Sequence, residues 1–211
     1  MENVIPGLTV NTSNENFATW AAQSFVSDDL RSILQEKSIL LVPEIGFRDR
    51  DIPVFPVGTE NLLEYFQKNA PANYSIDICV NEDLYAELSL HHDYIRLGRF
   101  LVKEIALPVF IGLLTAYITE NYIKHEDSKP KVEIIDNSTH QTIINPPAES
   151  KPSIEKAPPK KYLAPPKLKF SVTIVDSNGA SKEYHYDGPV KNVKEVTEEI
   201  KTLWKNDKNA N

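Results

Sequence analysis

The sequence of 211 residues contains a single cysteine, Cys79, which excludes an intrachain disulfide. A chain without disulfides is typical of a reducing compartment. Cys79 lies in the apolar segment 74–80, and no neighbour in the sequence is expected to activate its thiol. We expect a buried and unreactive cysteine. The alternative is a nucleophile that pairs with His91 or His92.

Glycine is also scarce, with seven residues, and Gly46, Gly58 and Gly98 stand alone in the sequence. The phosphate-binding patterns GxxxxGK(S/T) and GxGxxG are absent, which excludes these glycine-rich nucleotide loops. The hydrolase pattern GxSxG and the metalloprotease pattern HExxH are absent as well. We therefore expect neither enzymatic activity nor a cofactor or metal, and no small-molecule site is evident.

Basic charge is deficient, because the net charge is -7 and residues 1–99 hold 7 Lys or Arg against 15 Asp or Glu. Binding to nucleic acid requires a basic surface that neutralises phosphates. The N-terminal half is therefore not expected to bind nucleic acid. Residues 151–169 hold six lysines against Glu155 alone, so only this proline-rich segment could attract anionic partners, and weakly.

The N-terminus lacks a basic segment followed by a long apolar one, so no cleavable signal peptide is predicted. Membrane targeting would then depend on the uncharged run IALPVFIGLLTAYI at 105–118. A membrane-spanning helix needs about 20 mostly apolar residues, whereas a run of about 10–14 is more typical of a buried core helix. Extension of the run to residues 100–118 gives a candidate span.

Apolar side chains cover every side of a helix built from this run, which indicates burial in lipid or in protein. The rest of the chain offers little apolar surface to enclose such a helix, so we predict a membrane span. Basic residues before the run place the N-terminal half in the cytoplasm. The span residues are Phe100, Leu101, Val102, Ile105, Leu107, Val109, Phe110, Ile111, Leu113, Leu114 and Ile118.

The first 99 residues predict a disordered tail at 1–16 and a small α/β domain at 17–99. Helical spacing covers 17–37 with Ser27 as an internal N-cap, and it returns at 59–71. Short apolar runs at 38–45 and 74–80 predict two adjacent strands, in a parallel arrangement. A further helix is predicted from residue 82 onwards, capped by Asn81.

After the hydrophobic helix at 100–124, residues 125–144 predict short strands or extended chain. Residues 145–167 are rich in proline and lysine and predict an extended linker. In 168–206, an alternating pattern on both sides of the turn DSNG predicts a β-hairpin. Asn192 and Glu195 form a capping-box pattern that begins a helix. The result is a ββα module that is small for an independent core.

His91, His92 and Asp93 form the most suggestive polar cluster, since imidazole and carboxylate groups can bind zinc or exchange protons. Adjacent residues on a helix point in different directions, so we favour a solvated surface. The alternating charges of residues 48–51 (RDRD) are interpreted as self-paired surface charges rather than a phosphate site.

These observations predict an α+β protein with an N-terminal α/β region, one long hydrophobic helix, a proline-rich linker and a C-terminal ββα module. The expected function is a non-enzymatic, single-pass membrane-anchored adaptor or scaffold that presents a protein-binding module, with a protein and a lipid bilayer as partners. One alternative is a soluble interaction subunit with 105–118 buried in an interface. The other is an enzyme that uses Cys79 or the histidines His91 and His92.

Overall fold

A computed structural model describes residues 5–46, 52–88, 94–124 and 166–209. Within these ranges the chain forms a six-stranded sheet, a two-stranded sheet and five α-helices. The predicted mixture of α and β structure is confirmed at that level. The strands are β1 (Leu8–Ser13), β2 (Ile39–Val42), β3 (Phe55–Pro56), β4 (Ile76–Ile78), β5 (Glu87–Leu88), β6 (Tyr94–Lys103), β7 (Lys167–Val175) and β8 (Ser181–Pro189). The helices are α1 (Phe17–Ala21), α2 (Asp28–Glu36), α3 (Thr59–Asn69), α4 (Leu107–Ile118) and α5 (Val193–Asn209).

The large sheet has the strand order β1-β8-β7-β6-β2-β4, and β3 pairs with β5 in the small one. β2 and β4 are parallel neighbours joined through α3, which confirms the two adjacent strands predicted in the N-terminal half. β6 and β7 are also parallel, whereas β2 and β6, β7 and β8, and β1 and β8 are antiparallel. Strands from both ends of the chain therefore form one sheet.

Two predictions in the N-terminal half are wrong. Residues 8–13 form the edge strand β1 on β8 instead of belonging to a disordered tail. The helix predicted from residue 82 is limited to a short 3-10 turn at Glu82–Leu84, and the sequence from Tyr94 onwards is the central strand β6. Alternation in β6 is interrupted by a bulge between Arg96 and Gly98, which hides its period-two pattern.

The predicted span 100–118 is not one helix, because Phe100, Leu101 and Val102 belong to β6. The helical run is Glu104–Ile123, which consists of a 3-10 turn, α4 and a terminal π-helical turn. This run is long and apolar enough to cross a membrane, with a mean hydropathy of 1.2 over 18 residues, of which 44% are buried. The core helix of a soluble protein meets the same criterion.

α4 packs on one face of the large sheet, between α3 and α5. Rings of β6, α3 and α4 meet there: the Phe100 and Phe110 centroids lie 5.0 Å apart, and Phe66 lies 6.1 Å from each. Ile105 is 68% exposed and Val109 is partly buried. Buried α4 residues are Leu107, Phe110, Ile111, Leu113, Leu114, Tyr117 and Ile118.

The C-terminal hairpin and helix form as predicted, but they do not stand apart as a module. β7 pairs with β6 along nearly its whole length, and α5 packs against α4. Val193, Val196 and Ile200 of α5 share one apolar core with Phe100 and Leu114. The predicted layout of an N-terminal region and a separate C-terminal module is therefore not confirmed by the described residues.

The opposite face of the sheet is covered only in part. α1 and α2 place Phe17, Trp20 and Leu34 over Leu40 and Leu101, which forms a second, smaller core. Polar side chains of β6, β7 and β8 occupy the remainder of this face. Residues 47–51 (Phe47 to Asp51), 89–93 and 125–165 lie outside the described residues, and with them the predicted clusters RDRD and His91, His92 and Asp93, and most of the predicted linker.

Candidate functional site

A pocket of about 400 Å³ lies on this partly covered face. Its floor is formed by β6, β7 and β8, and its side wall by β3 and β5. Val54, Phe55, Pro56 and Leu88 make the wall apolar, whereas the floor carries charged and hydroxyl groups. The volume and the mixture of apolar and polar lining are those of a small-molecule site.

Gly98 allows the wall to approach the floor closely. It has a φ of +82° at the bulge of β6, a backbone conformation that residues other than glycine rarely adopt. A Cβ atom at this position would lie 3.2 Å from Cδ of Pro56. Gly98 thus positions β3 against β6 at the edge of the pocket.

Glu87 holds the wall to the start of α3. Its carboxylate accepts hydrogen bonds from the amides of Gly58 and Glu60 at 2.9 and 3.0 Å, and from the Tyr85 hydroxyl at 2.5 Å. Burial by itself raises the pKa of Glu87, but these hydrogen bonds outweigh it and the pKa is lowered overall. The ionised carboxylate therefore stabilises the folded wall.

Arg99 lies in the floor, where its charge is paired with two carboxylates. Its Nη2 donates to both carboxylate oxygens of Glu15, at 2.9 and 2.7 Å, and lies 3.6 Å from Oε1 of Glu183. The guanidinium also stacks over the Trp20 ring at 5.5 Å. Two carboxylates thus neutralise Arg99, and its charge is not available to a ligand.

Arg96 and Lys169 are different, because neither forms an ion pair within the described ranges. They are direct register partners on the adjacent parallel strands β6 and β7, and both line the pocket. The Arg96 guanidinium lies 5.5 Å from the Tyr94 ring centroid. Its Nε atom is buried and has no hydrogen-bond partner among the residues that the structure describes.

Ser171 and His185 form a hydrogen-bonded pair in the floor, with Ser171 Oγ 2.9 Å from His185 Nδ1. They face each other across the β7–β8 hairpin, where their Cα atoms are register partners. A serine beside a histidine is the start of a nucleophilic site, but such sites also need a group that orients the histidine. No acidic side chain of the described residues is hydrogen-bonded to His185.

No motif in the sequence marks Arg96, Lys169, Ser171 or His185 as site residues. The hairpin pattern contained a signal for one pair, since alternation and the position of the turn place Ser171 opposite His185 on one face. Arg96 and Lys169 lie on strands that are distant in the sequence, and their strand pairing becomes visible only in the fold.

Of the polar candidates Cys79, His91, His92 and Asp93, Cys79 is the one whose side chain the structure describes. The thiol is completely buried in the smaller core, with Sγ 3.9 Å from the Trp20 carbonyl oxygen. Burial and, to a lesser extent, the Asp77 carboxylate raise the pKa of Cys79 to about 12. Among the described residues, His, Cys, Asp and Glu side chains form no group of three that could hold a metal ion.

Comparison of the chain with protein families, curated proteins and solved structures found no match. The pocket and the environment of α4 are the features of the described residues that bear on function.

Proposed function

We propose that this chain is a non-enzymatic ligand-binding domain whose binding site is the pocket between β3, β5 and the floor of the large sheet. The observation that carries the proposal is the pocket itself, a concavity of about 400 Å³ in which an apolar wall faces polar floor residues. This combination gives a ligand buried apolar surface for affinity and a few polar partners for orientation.

A substitution that fills the pocket tests this proposal. Leu88 lines the pocket, whereas Leu84 is 39% exposed and does not line it. Saturation-transfer NMR of the full chain with a mixture of small fragments should detect binders that Leu88→Trp abolishes and Leu84→Trp retains. Melting temperatures of both variants check that the fold persists. Binding that is the same in both variants, or no binding at all, would contradict the proposal.

We also propose that α4 is a core helix of this domain. Support comes from its packing, because one side of α4 lies on β6 and its flanks contact α3 and α5. Withdrawal of α4 into a bilayer would expose Phe66, Phe100 and Val193 to water. Burial of each such side chain contributes about 1.5–3 kcal/mol to the stability of the fold. A membrane span would therefore be incompatible with this sheet packing.

A single-pass membrane-anchored adaptor with a protein partner is the second candidate. The observation in its favour is the run Glu104–Ile123, which is long and apolar enough to span a bilayer. Membrane fractionation of cells that express the full chain separates the two proposals. Release of the chain by alkaline carbonate supports the core helix, and retention in the pellet until detergent is added supports the anchor.

A further inference from the structure

We propose that the ligand of this pocket carries an anionic oxygen group, a carboxylate or a phosphate, that binds between Arg96 and Lys169, with an apolar body against the wall of β3 and β5. This inference depends on the proposed binding function and specifies the chemical class of the ligand.

Two like charges lie side by side in the lining of the pocket. Arg96 and Lys169 are register partners on neighbouring strands, where like charges repel each other. Within the described residues no carboxylate lies within ion-pair distance of either side chain. An anion placed between them removes the repulsion and forms charge-assisted hydrogen bonds with both side chains.

The Arg96 guanidinium is held by its buried Nε, which has no hydrogen-bond partner among the described residues. Because Nε has no accessible surface, a ligand in the pocket would bind the other N–H groups of Arg96, and the burial of Nε holds the guanidinium in place. The guanidinium presents its N–H groups as a planar fork that matches carboxylate and phosphate oxygens. The Tyr94 ring, 5.5 Å away, restricts the orientation of that fork.

Charge is distributed unevenly over the lining of the pocket. Its lining contains three cationic side chains, Arg96, Arg99 and Lys169, and the carboxylates Glu44 and Glu183. Glu15 and Glu183 already neutralise Arg99. Arg99 with these two carboxylates carries one excess negative charge. The positive charge of the lining is therefore concentrated at Arg96 and Lys169, with Glu44 as the remaining carboxylate.

The remaining lining defines the rest of the ligand. Val54, Phe55 and Leu88 contribute apolar surface opposite the cationic pair, so the ligand body is apolar. Ser171 and His185 lie in the same floor and can hydrogen-bond a further oxygen of the anionic group. Inorganic phosphate alone would leave the apolar wall unused and would bind more weakly.

Three probes with the same six-carbon chain test the class: hexanoate, hexyl phosphate and 1-hexanol. Titrations of the full chain followed by NMR should show that both anions bind at least about tenfold more tightly than the neutral alcohol, the magnitude expected for a paired charge in a partly buried site. A preference between hexanoate and hexyl phosphate distinguishes a carboxylate ligand from a phosphate one. Binding of the anions should weaken with added salt.

Substitutions of Arg96 and Lys169 test whether these two residues bind the anionic group. Arg96→Gln and Lys169→Gln should each weaken hexanoate or hexyl phosphate binding by about tenfold or more and leave 1-hexanol binding unchanged. Lys191→Gln is the matched control, because Lys191 is exposed and does not line the pocket. Arg96→Lys keeps the charge but loses the fork, and it should restore only part of the affinity.

The outcomes separate this inference from the proposed function. Equal binding of the alcohol and the anions to the unmodified chain would overturn the anionic class, even if Arg96→Gln failed to fold. If that binding were still abolished by Leu88→Trp, the ligand-binding function would stand. Failure of all three probes to bind would overturn the inference. The fragment experiment with Leu88→Trp would then decide independently whether the pocket binds any ligand.

Discussion

At the scale of single residues, burial and hydrogen bonding decide what Glu87 and Cys79 do. Both side chains can lose a proton, yet the fold shifts their pKa values in opposite directions. Hydrogen bonds to the ionised form lower the pKa of Glu87 despite its burial. The Cys79 thiol has no comparable donor among the described residues, and burial raises its pKa.

Glu87→Gln should destabilise the fold by about 1–2 kcal/mol at neutral pH, because the charge at the start of α3 and its strong hydrogen bonds are lost. The pKa of Glu87 is lowered in the folded state, so its contribution is complete above the ordinary pKa of a glutamate. It is lost as the pH falls through the lowered value. Urea unfolding measures the difference in free energy of unfolding between Glu87→Gln and the unmodified chain. That difference should shrink as the pH falls from about 7 to about 3.

The control for that experiment is Glu64→Gln, which removes an exposed carboxylate from the middle of the same helix. It should change the free energy of unfolding by less than about 0.5 kcal/mol. A Glu87→Gln variant as stable as this control at neutral pH would contradict the role assigned to Glu87.

Cys79 should react with thiol reagents only after the fold opens. Burial and Asp77 raise its pKa from 9.0 to about 12, which lowers the thiolate fraction at neutral pH by about a thousandfold. Labelling with a chromogenic disulfide should be slow in the native chain and fast in denaturant. Rapid labelling of the native chain would indicate an accessible thiol and would reopen a catalytic role for Cys79.

At the scale of elements, the bulge in β6 is the feature that shapes the pocket. It interrupts the strand next to Arg96, and its left-handed glycine lets Pro56 approach. The same bulge explains why the strand was predicted as helix, because it shifts apolar and polar positions out of simple alternation.

Gly98→Ala should destabilise the chain by about 1–3 kcal/mol, since alanine is strained at a φ of +82° and its Cβ would crowd Pro56. The matched control is Gly112→Ala in α4, where nothing lies within 4 Å of an added Cβ and alanine favours the helix. That variant should be neutral or more stable by up to about 1 kcal/mol. Chemical denaturation measures both, and equal effects would show that the bulge does not constrain residue 98.

At the scale of the whole molecule, the six-stranded sheet combines strands from distant segments of the chain. β6 of the N-terminal half lies between β2 and β7, and α4 and α5 share a core on one face. The predicted ββα module contributes two strands and a helix to this sheet. Separation of the N-terminal and C-terminal segments would therefore expose core residues of both.

We expect residues 166–211 to be unfolded when expressed alone, because β7 loses its partner β6 and α5 loses α4. Mixing with residues 1–124 should restore a folded complex, since the cuts remove no pairing among the described strands. Circular dichroism and amide NMR spectra measure both steps. A well-dispersed spectrum of the isolated C-terminal segment would instead support an independent module.

The sequence by itself determined the local elements with regular patterns. Alternation of Phe170, Val172 and Ile174 around a turn was sufficient for the hairpin, and helical spacing was sufficient for α3 and α5. Ser27 was identified as the N-cap of α2, and its hydroxyl accepts from the Leu30 amide at 3.4 Å. Such signals are visible because neighbours in the sequence make the interactions.

Only the tertiary structure decided how these elements combine. The apolarity of α4 indicated complete burial but could not distinguish lipid from protein, because both exclude water from a helix on every side. Its packing partners come from β6, α3 and α5, which are spread over the whole chain. Arg96 and Lys169 likewise meet only through the parallel pairing of β6 and β7, and no local pattern encodes a pair of strands so far apart.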